Sequence, residues 1–143
     1  MMSKMSKALK LRIYTDGGAR GNPGPAGIGV VVENAETGEV IEEHFKYLGV
    51  TTNNQAEYQA VILGLERALA LVAEEVTIVA DSELLVRQAT GAYRVKNAGL
   101  AKRFLELRNL ETRLSRPVRY RYVPRAENTR ADALANRAMD RRT

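Results

Sequence analysis

The run "EVTIVADS", from Glu75 to Ser82, limits the possible folds more than any other stretch of this 143-residue chain. It is short and almost continuously apolar or β-branched, without the alternation of a strand that has one wet face. Such a strand is buried on both sides, beneath helices. The rest of the chain supplies them. Asn54 to Val72 is rich in Ala, Leu and Glu and reads as a long helix, and Ser82 to Thr90 as a short one ended by Gly91. From Asn97 to Leu114, Leu100, Phe104, Leu107, Leu110 and Leu114 recur at steps of three and four, which marks one buried helical stripe. Pro117 interrupts, "VRYRYV" reads as a strand, and Glu127 to Arg141 as a final helix.

Ahead of the buried run, Leu11, Ile13 and Thr15 alternate with Arg12, Tyr14 and Asp16, the period of a first strand. A loop crowded with glycine and proline leads to a second, Ile28 to Glu33. The turn residues "NAETG" then lead to a third, Glu39 to Tyr47. The order predicts an α/β fold: a mixed five-stranded sheet, three antiparallel strands then two further strands, flanked by helices. At this length, with 45% hydrophobic residues, the expectation is a single domain over residues 11–143 behind a flexible tail at 1–10.

The chain has no cysteine, so disulfides and thiolate metal sites are excluded and a reducing cytoplasm is the expected setting. The opening "MMSKMSKALK" carries no apolar run of the kind a secretory signal needs, and no membrane partner is expected. The net charge of +5 is unevenly spread. Up to Val86 there are 7 basic and 12 acidic side chains, and from Arg87 onward 15 basic and 5 acidic. A basic half of this kind fits a polyanionic partner or, equally, a solvated surface.

Four carboxylates stand at element ends. Each has a structural explanation: Asp16 as a turn residue before glycine, Glu57 in a capping box with Asn54, Asp81 as an N-cap, and Asp132 in a capping box with Thr129. Together they have another. Asp16 and Asp81 fall at the ends of neighbouring strands, and Glu57 and Asp132 in the first turns of helices, so all four can converge on one sheet edge. Clustered carboxylates repel one another and raise their pKa values unless cations neutralise them. Oxygen-only donors favour a hard cation, Mg2+ with Mn2+ as a substitute. Two such ions about 3.5–4 Å apart form the clamp used for in-line displacement at phosphate. Gly17 and Gly18 would let a bulky nucleic acid approach the backbone beside Asp16.

The motifs "YTDGGARGNPGPAGIGVVV", "TTNNQAEYQAVILGLERAL", "ADSELLVRQ" and "ENTRADALANRA" resemble, in order and spacing from Leu11 to about Asp140, those of type 1 ribonuclease H. The resemblance implies a ribonuclease H-like fold and hydrolysis of the RNA strand of an RNA/DNA hybrid, leaving 5′-phosphate and 3′-hydroxyl ends. It implies that Asp16, Glu57, Asp81 and Asp132 hold two Mg2+ ions, Asp132 on the nucleophile side. It also implies that Asn53 and Asn54 reach the minor groove, and that Asn22 and Thr52 hold a phosphate of the DNA strand.

The chain departs from the family's pattern in several places. Val50 stands where a basic residue commonly supports that phosphate pocket. The loop "VPRAENTRAD" lacks the family's histidine, with Arg125 or Glu127 as candidate replacements; the single histidine, His44, reads as a surface residue. Glu83 replaces a substrate-binding glutamine, and the tryptophan-bearing basic handle of some relatives is missing from a chain without tryptophan. The compact segment "GAYRVKNAGLAKRFLELRNL" is expected to dock substrate more weakly, through Lys96, Lys102, Arg103 and Arg108. A nucleotide-binding loop is excluded because neither G-x-x-x-x-G-K-[ST] nor G-x-G-x-x-G opening into a helix is present. A non-catalytic binding module on the same fold and cleavage of double-stranded RNA stand as alternatives. A monomer is the default expectation.

Overall fold

In the computed structural model, which describes residues 8–143, the buried run forms strand β4 (Glu75–Ala80), with Val76, Ile78, Val79 and Ala80 all inaccessible. Three antiparallel strands precede it: β1 (Lys10–Ala19), β2 (Gly24–Asn34) and β3 (Val40–Thr51). Helix α1 (Asn53–Ala70) links β3 to β4. After β4 come α2 (Glu83–Ala89), α3 (Ala98–Glu111), β5 (Arg119–Tyr122), a 3-10 turn (Arg125–Glu127) and α4 (Thr129–Arg141). The sheet order is β3-β2-β1-β4-β5, with β1–β4 and β4–β5 parallel. This is the expected mixed five-stranded α/β sheet. Among the described residues no helix is long and apolar enough to cross a membrane.

Strand alternation divides the core between two faces. Leu11, Ile13, Val30 and Val32 point toward α1 and join a large aliphatic cluster with Tyr58, Val61, Leu65, Ile78, Leu85 and Leu107. The intervening Tyr14 and Val31 point the other way, onto Ala131 and Leu134 of α4. The two helices are pinned by consecutive glutamates of β3. Glu42 takes two hydrogen bonds from Arg67 of α1, at 2.8 and 3.0 Å, and Glu43 pairs with Arg130 of α4.

Several expected boundaries shift. The stretch Gly17–Ala19 is strand rather than loop, because Gly17, Gly18 and Ala19 continue to pair with Ile28, Gly27 and Ala26. The expected tail at 1–10 lies mostly outside the described residues, but Lys10 opens β1 and the Leu9 carbonyl accepts from Glu74. The third strand runs on to Thr51, and the final helix is split by Asn128 into the 3-10 turn and α4. Leu114 falls beyond the end of α3, only partly buried against the core. His44 lies at the surface, partly exposed and within hydrogen-bond distance of Glu42 at 2.8 Å.

Candidate active site

The parallel β1–β4 ladder ends at the pair Thr15–Ala80, so Asp16 and Asp81 emerge side by side just beyond it. Asp16 is no turn residue: it lies within β1, opposite Gly29, and is only 5% exposed. Asp81 is not a helix cap. Ser82 caps α2 by accepting from the Leu85 N–H at 3.2 Å, which leaves the Asp81 carboxylate uncommitted to the helix. The expected capping box of Asn54 and Glu57 is also absent, because Thr52 caps α1 by accepting from the Gln55 N–H at 3.2 Å. Glu57 turns toward β1 instead, and its Oε1 accepts from the Gly17 N–H at 3.2 Å. In α4 no side chain caps the N-terminus, so Thr129 and Asp132 form no capping box.

The result is a carboxylate cluster. One oxygen from each of Asp16, Glu57 and Asp81 lies within 4.8 Å of the other two. Asp132, in the first turn of α4, is not one of these three; its side chain and charge act on the site by raising the Asp16 pKa. Burial raises the Asp16 pKa most, followed by the charge on Asp81 and then the contact with Asp132; Arg125 opposes the rise. Glu57 is pushed well above its ordinary value for the same reasons, burial first and then Asp16 and Asp81, against the Gly17 N–H and Arg125. Three hard oxygen donors, with Asp16 and Glu57 both raised, suit a divalent cation, and the donor set fits Mg2+ or Mn2+ rather than a thiolate-preferring metal.

Close packing brings the two helices to this edge. A Cβ at Gly17 would stand 2.4 Å from the Ala56 carbonyl carbon, and one at Gly29 2.2 Å from the Ala131 carbonyl oxygen. Gly17 is therefore required by the docking of α1 on β1, a packing role that the sequence did not show. Gly18 is the open position of the pair, with its nearest neighbour at 3.8 Å.

Asn22 and Asn53 meet at the start of α1. Asn22 Oδ1 accepts from the Asn53 N–H at 3.1 Å, and Asn53 Oδ1 accepts from the Ala19 N–H at 2.7 Å. Asn53 and Asn54 are exposed beside the cluster, and Thr52 is half-buried. The basic segment is less available than its charge suggests. Lys96 and Lys102 are exposed, but Arg103 bonds Gln55 and Glu106, and Arg108 bonds Glu111 and the Ala89 carbonyl while lying over the Phe104 ring. Glu83 is exposed and paired with Arg87 at 2.9 Å.

One residue at the site had no signal in the sequence. Asn128 Nδ2 donates to the Thr15 carbonyl at 2.9 Å and to Asp81 Oδ2 at 3.3 Å. An Asn before a helix reads as a cap or turn, so neither contact could be foreseen.

Comparisons with known proteins fit this geometry. The Reverse transcriptase-like family matches residues 14–138. The bifunctional protein Rv2228c of Mycobacterium tuberculosis is 46% identical over 132 residues, covering 92% of this chain and 36% of that protein. The solved N-terminal RNase H domain of Rv2228c superposes with a TM-score of 0.89 at 45% identity, over 93% of this chain and 95% of that one. Ribonuclease HI of Halobacterium salinarum is 40% identical over 131 residues, 92% of this chain and 65% of the relative. The chain thus spans roughly a third of the first curated relative and just under two thirds of the second. A crystal structure of LC11-RNase H1 in complex with an RNA/DNA hybrid superposes with a TM-score of 0.87 at 44% identity, over 92% of this chain and 98% of that one. With its sheet order, its carboxylates at the strand ends and these relatives in agreement, the chain belongs to the ribonuclease H family, on the type 1, ribonuclease HI-like branch.

Proposed function

We propose that this chain is a divalent-metal-dependent endoribonuclease that hydrolyses the RNA strand of RNA/DNA hybrids, working as a monomer in the cytoplasm. The observation that carries the proposal is the convergence of Asp16, Glu57 and Asp81 at the ends of β1 and β4 and the start of α1. Asp16, Glu57, Asp81 and Asp132 would hold two Mg2+ ions, or Mn2+ in their place. When bound, the ions supply an activated water for attack on phosphorus and stabilise the departing oxygen. The products are a 5′-phosphate and a 3′-hydroxyl.

The protein's own part is placement. Glu57 is oriented by the Gly17 N–H, and Asp16 is buried within β1. Asn53 and Asn54 face the minor groove of the hybrid, where 2′-hydroxyls distinguish RNA. Asn22 and Thr52, at the same α1 N-terminus, hold a DNA-strand phosphate. Lys96 and Lys102 contribute sequence-independent charge. With few free cations on α3, salt weakens binding less steeply than a fully exposed basic handle would.

The test is cleavage of labelled hybrid, duplex RNA, duplex DNA and single-stranded RNA with and without Mg2+ or Mn2+. Cutting of the hybrid's RNA strand only with metal is expected; binding without cutting under every condition contradicts the proposal. Cutting of duplex RNA as well would widen the substrate class. Asp81→Asn is expected to keep hybrid binding and lose turnover by about a thousandfold or more, a barrier increase of about 4 kcal/mol. Normal turnover in that variant would remove Asp81 from the metal site.

A further inference from the structure

Asn128 occupies the N-cap position of α4, where asparagine is among the most favourable residues, yet its side chain caps nothing. Its amide reaches the opposite way, to the Thr15 carbonyl and Asp81 Oδ2. Both partners are acceptors, so only the NH2 end of the amide can face them. The other end, Oδ1, is buried without a hydrogen-bond partner among the described residues, in a residue only 1% exposed. A good cap has given up its cap and left one of its own polar atoms unsatisfied. Such local costs concentrate where a fold serves function.

The ladder shows what the amide does. Thr15 and Ala80 form the last β1–β4 pair, and the next residues along the two strands are Asp16 and Asp81. The Asn128 NH2 joins the carbonyl just before Asp16 to the carboxylate of Asp81, so it acts as one more rung beyond the ladder's end. We infer that Asn128 is a positioning residue for the metal site. It holds the end of β1 against the end of β4, fixes the separation of Asp16 and Asp81, and by engaging Asp81 Oδ2 fixes the orientation of that carboxylate. This inference rests on the metal-dependent reading above and adds a residue to its machinery.

The test compares wild type, Asn128→Ala and Asn128→Ser. Mn2+ affinity is measured without nucleic acid by electron paramagnetic resonance, kcat and KM for hybrid are measured at fixed sub-saturating Mn2+, and metal-free thermal unfolding is followed alongside. Asn128→Ala is expected to weaken Mn2+ binding and lower kcat by about 10–100-fold, with KM for hybrid changed less than about twofold. Asn128→Ser, which keeps a smaller hydroxyl donor, falls between; it carries the comparison if Asn128→Ala does not fold. Mn2+ affinity and kcat within about twofold of wild type, whatever the change in thermal stability, would overturn the positioning role. A wild type that binds Mn2+ but cuts no substrate would defeat the nuclease reading, while the Mn2+ affinities would still decide the role of Asn128.

Discussion

The two helices that deliver carboxylates to the sheet edge do so from opposite faces and with unequal support. Helix α1 brings Glu57 on top of the largest cluster in the molecule, among Tyr58, Val61, Leu65 and Ile78, and Glu57 is tied to the Gly17 N–H. Helix α4 brings Asp132 on a small cluster, Val31 with Ala131 and Leu134, and comes close to the sheet because Gly27 and Gly29 leave no side chain beneath it. Both helices approach closely over a glycine, but α1 adds a large buried area that α4 lacks. Damage on the α1 side should therefore appear first as lost stability, and damage on the α4 side as lost activity.

The largest expected effect is on the α1 side. Leu65→Ala, at a fully buried position, should destabilise the protein by about 2–5 kcal/mol in urea denaturation. Its kcat under conditions where the protein stays folded should remain near wild type; a kcat collapse in folded protein would break the contrast. Next is Gly29→Ala. Its Cβ would lie 2.2 Å from the Ala131 carbonyl oxygen, so α4 must move away. Overpacking of this kind costs about 1–3 kcal/mol, and a drop in kcat of about tenfold or more is expected beyond it, a barrier change of about 1.4 kcal/mol. Full activity in Gly29→Ala would show that the close fit does not place Asp132.

A third effect has the opposite sign. The folded-state pKa of Asp16 is raised from 3.8, so between that value and the raised one the folded protein binds more protons than the unfolded chain. Stability of the metal-free protein should therefore fall as pH rises through neutrality, and Mn2+ should remove that dependence. Asp16→Asn should raise the metal-free Tm while abolishing cleavage; a lower Tm would contradict the repulsion. The smallest effect belongs to the Arg67–Glu42 tie. Arg67 holds the Glu42 carboxyl down at about 2, from 4.5, first through its hydrogen bonds. The contribution is present above the unfolded value and is lost as pH falls toward the folded one. The Tm difference between wild type and Arg67→Ala should be visible near neutral pH and close on acidification; a difference that grows in acid would reject the pairing.

What could be read without coordinates follows from what periodicity encodes. The five strands, the helices and the gathering of Asp16, Glu57 and Asp81 were legible because Asp16 and Asp81 follow the last apolar residues of their strand runs and Glu57 falls near the start of a helix, which fixes the sheet edge they share. The caps stayed open because Thr52 and Ser82 lie one or two residues from Asn54 and Asp81, and sequence does not say which of two good cappers takes the helix. The packing role of Gly17 stayed hidden, since a glycine required by a helix crossing looks the same as one required by a ligand. The engagement of Arg103 and Arg108 depends on contacts across α1, α2 and α3, which charge counting does not register. The same holds for Asn128, whose partners lie 113 and 47 residues away.

The central claim, that these acids form a divalent-ion site, is tested most directly by anomalous diffraction from crystals grown with Mn2+. A Mn2+ peak bounded by Asp16, Glu57 and Asp81 is the expected result. Saturating Mn2+ with no peak among these carboxylates would contradict it.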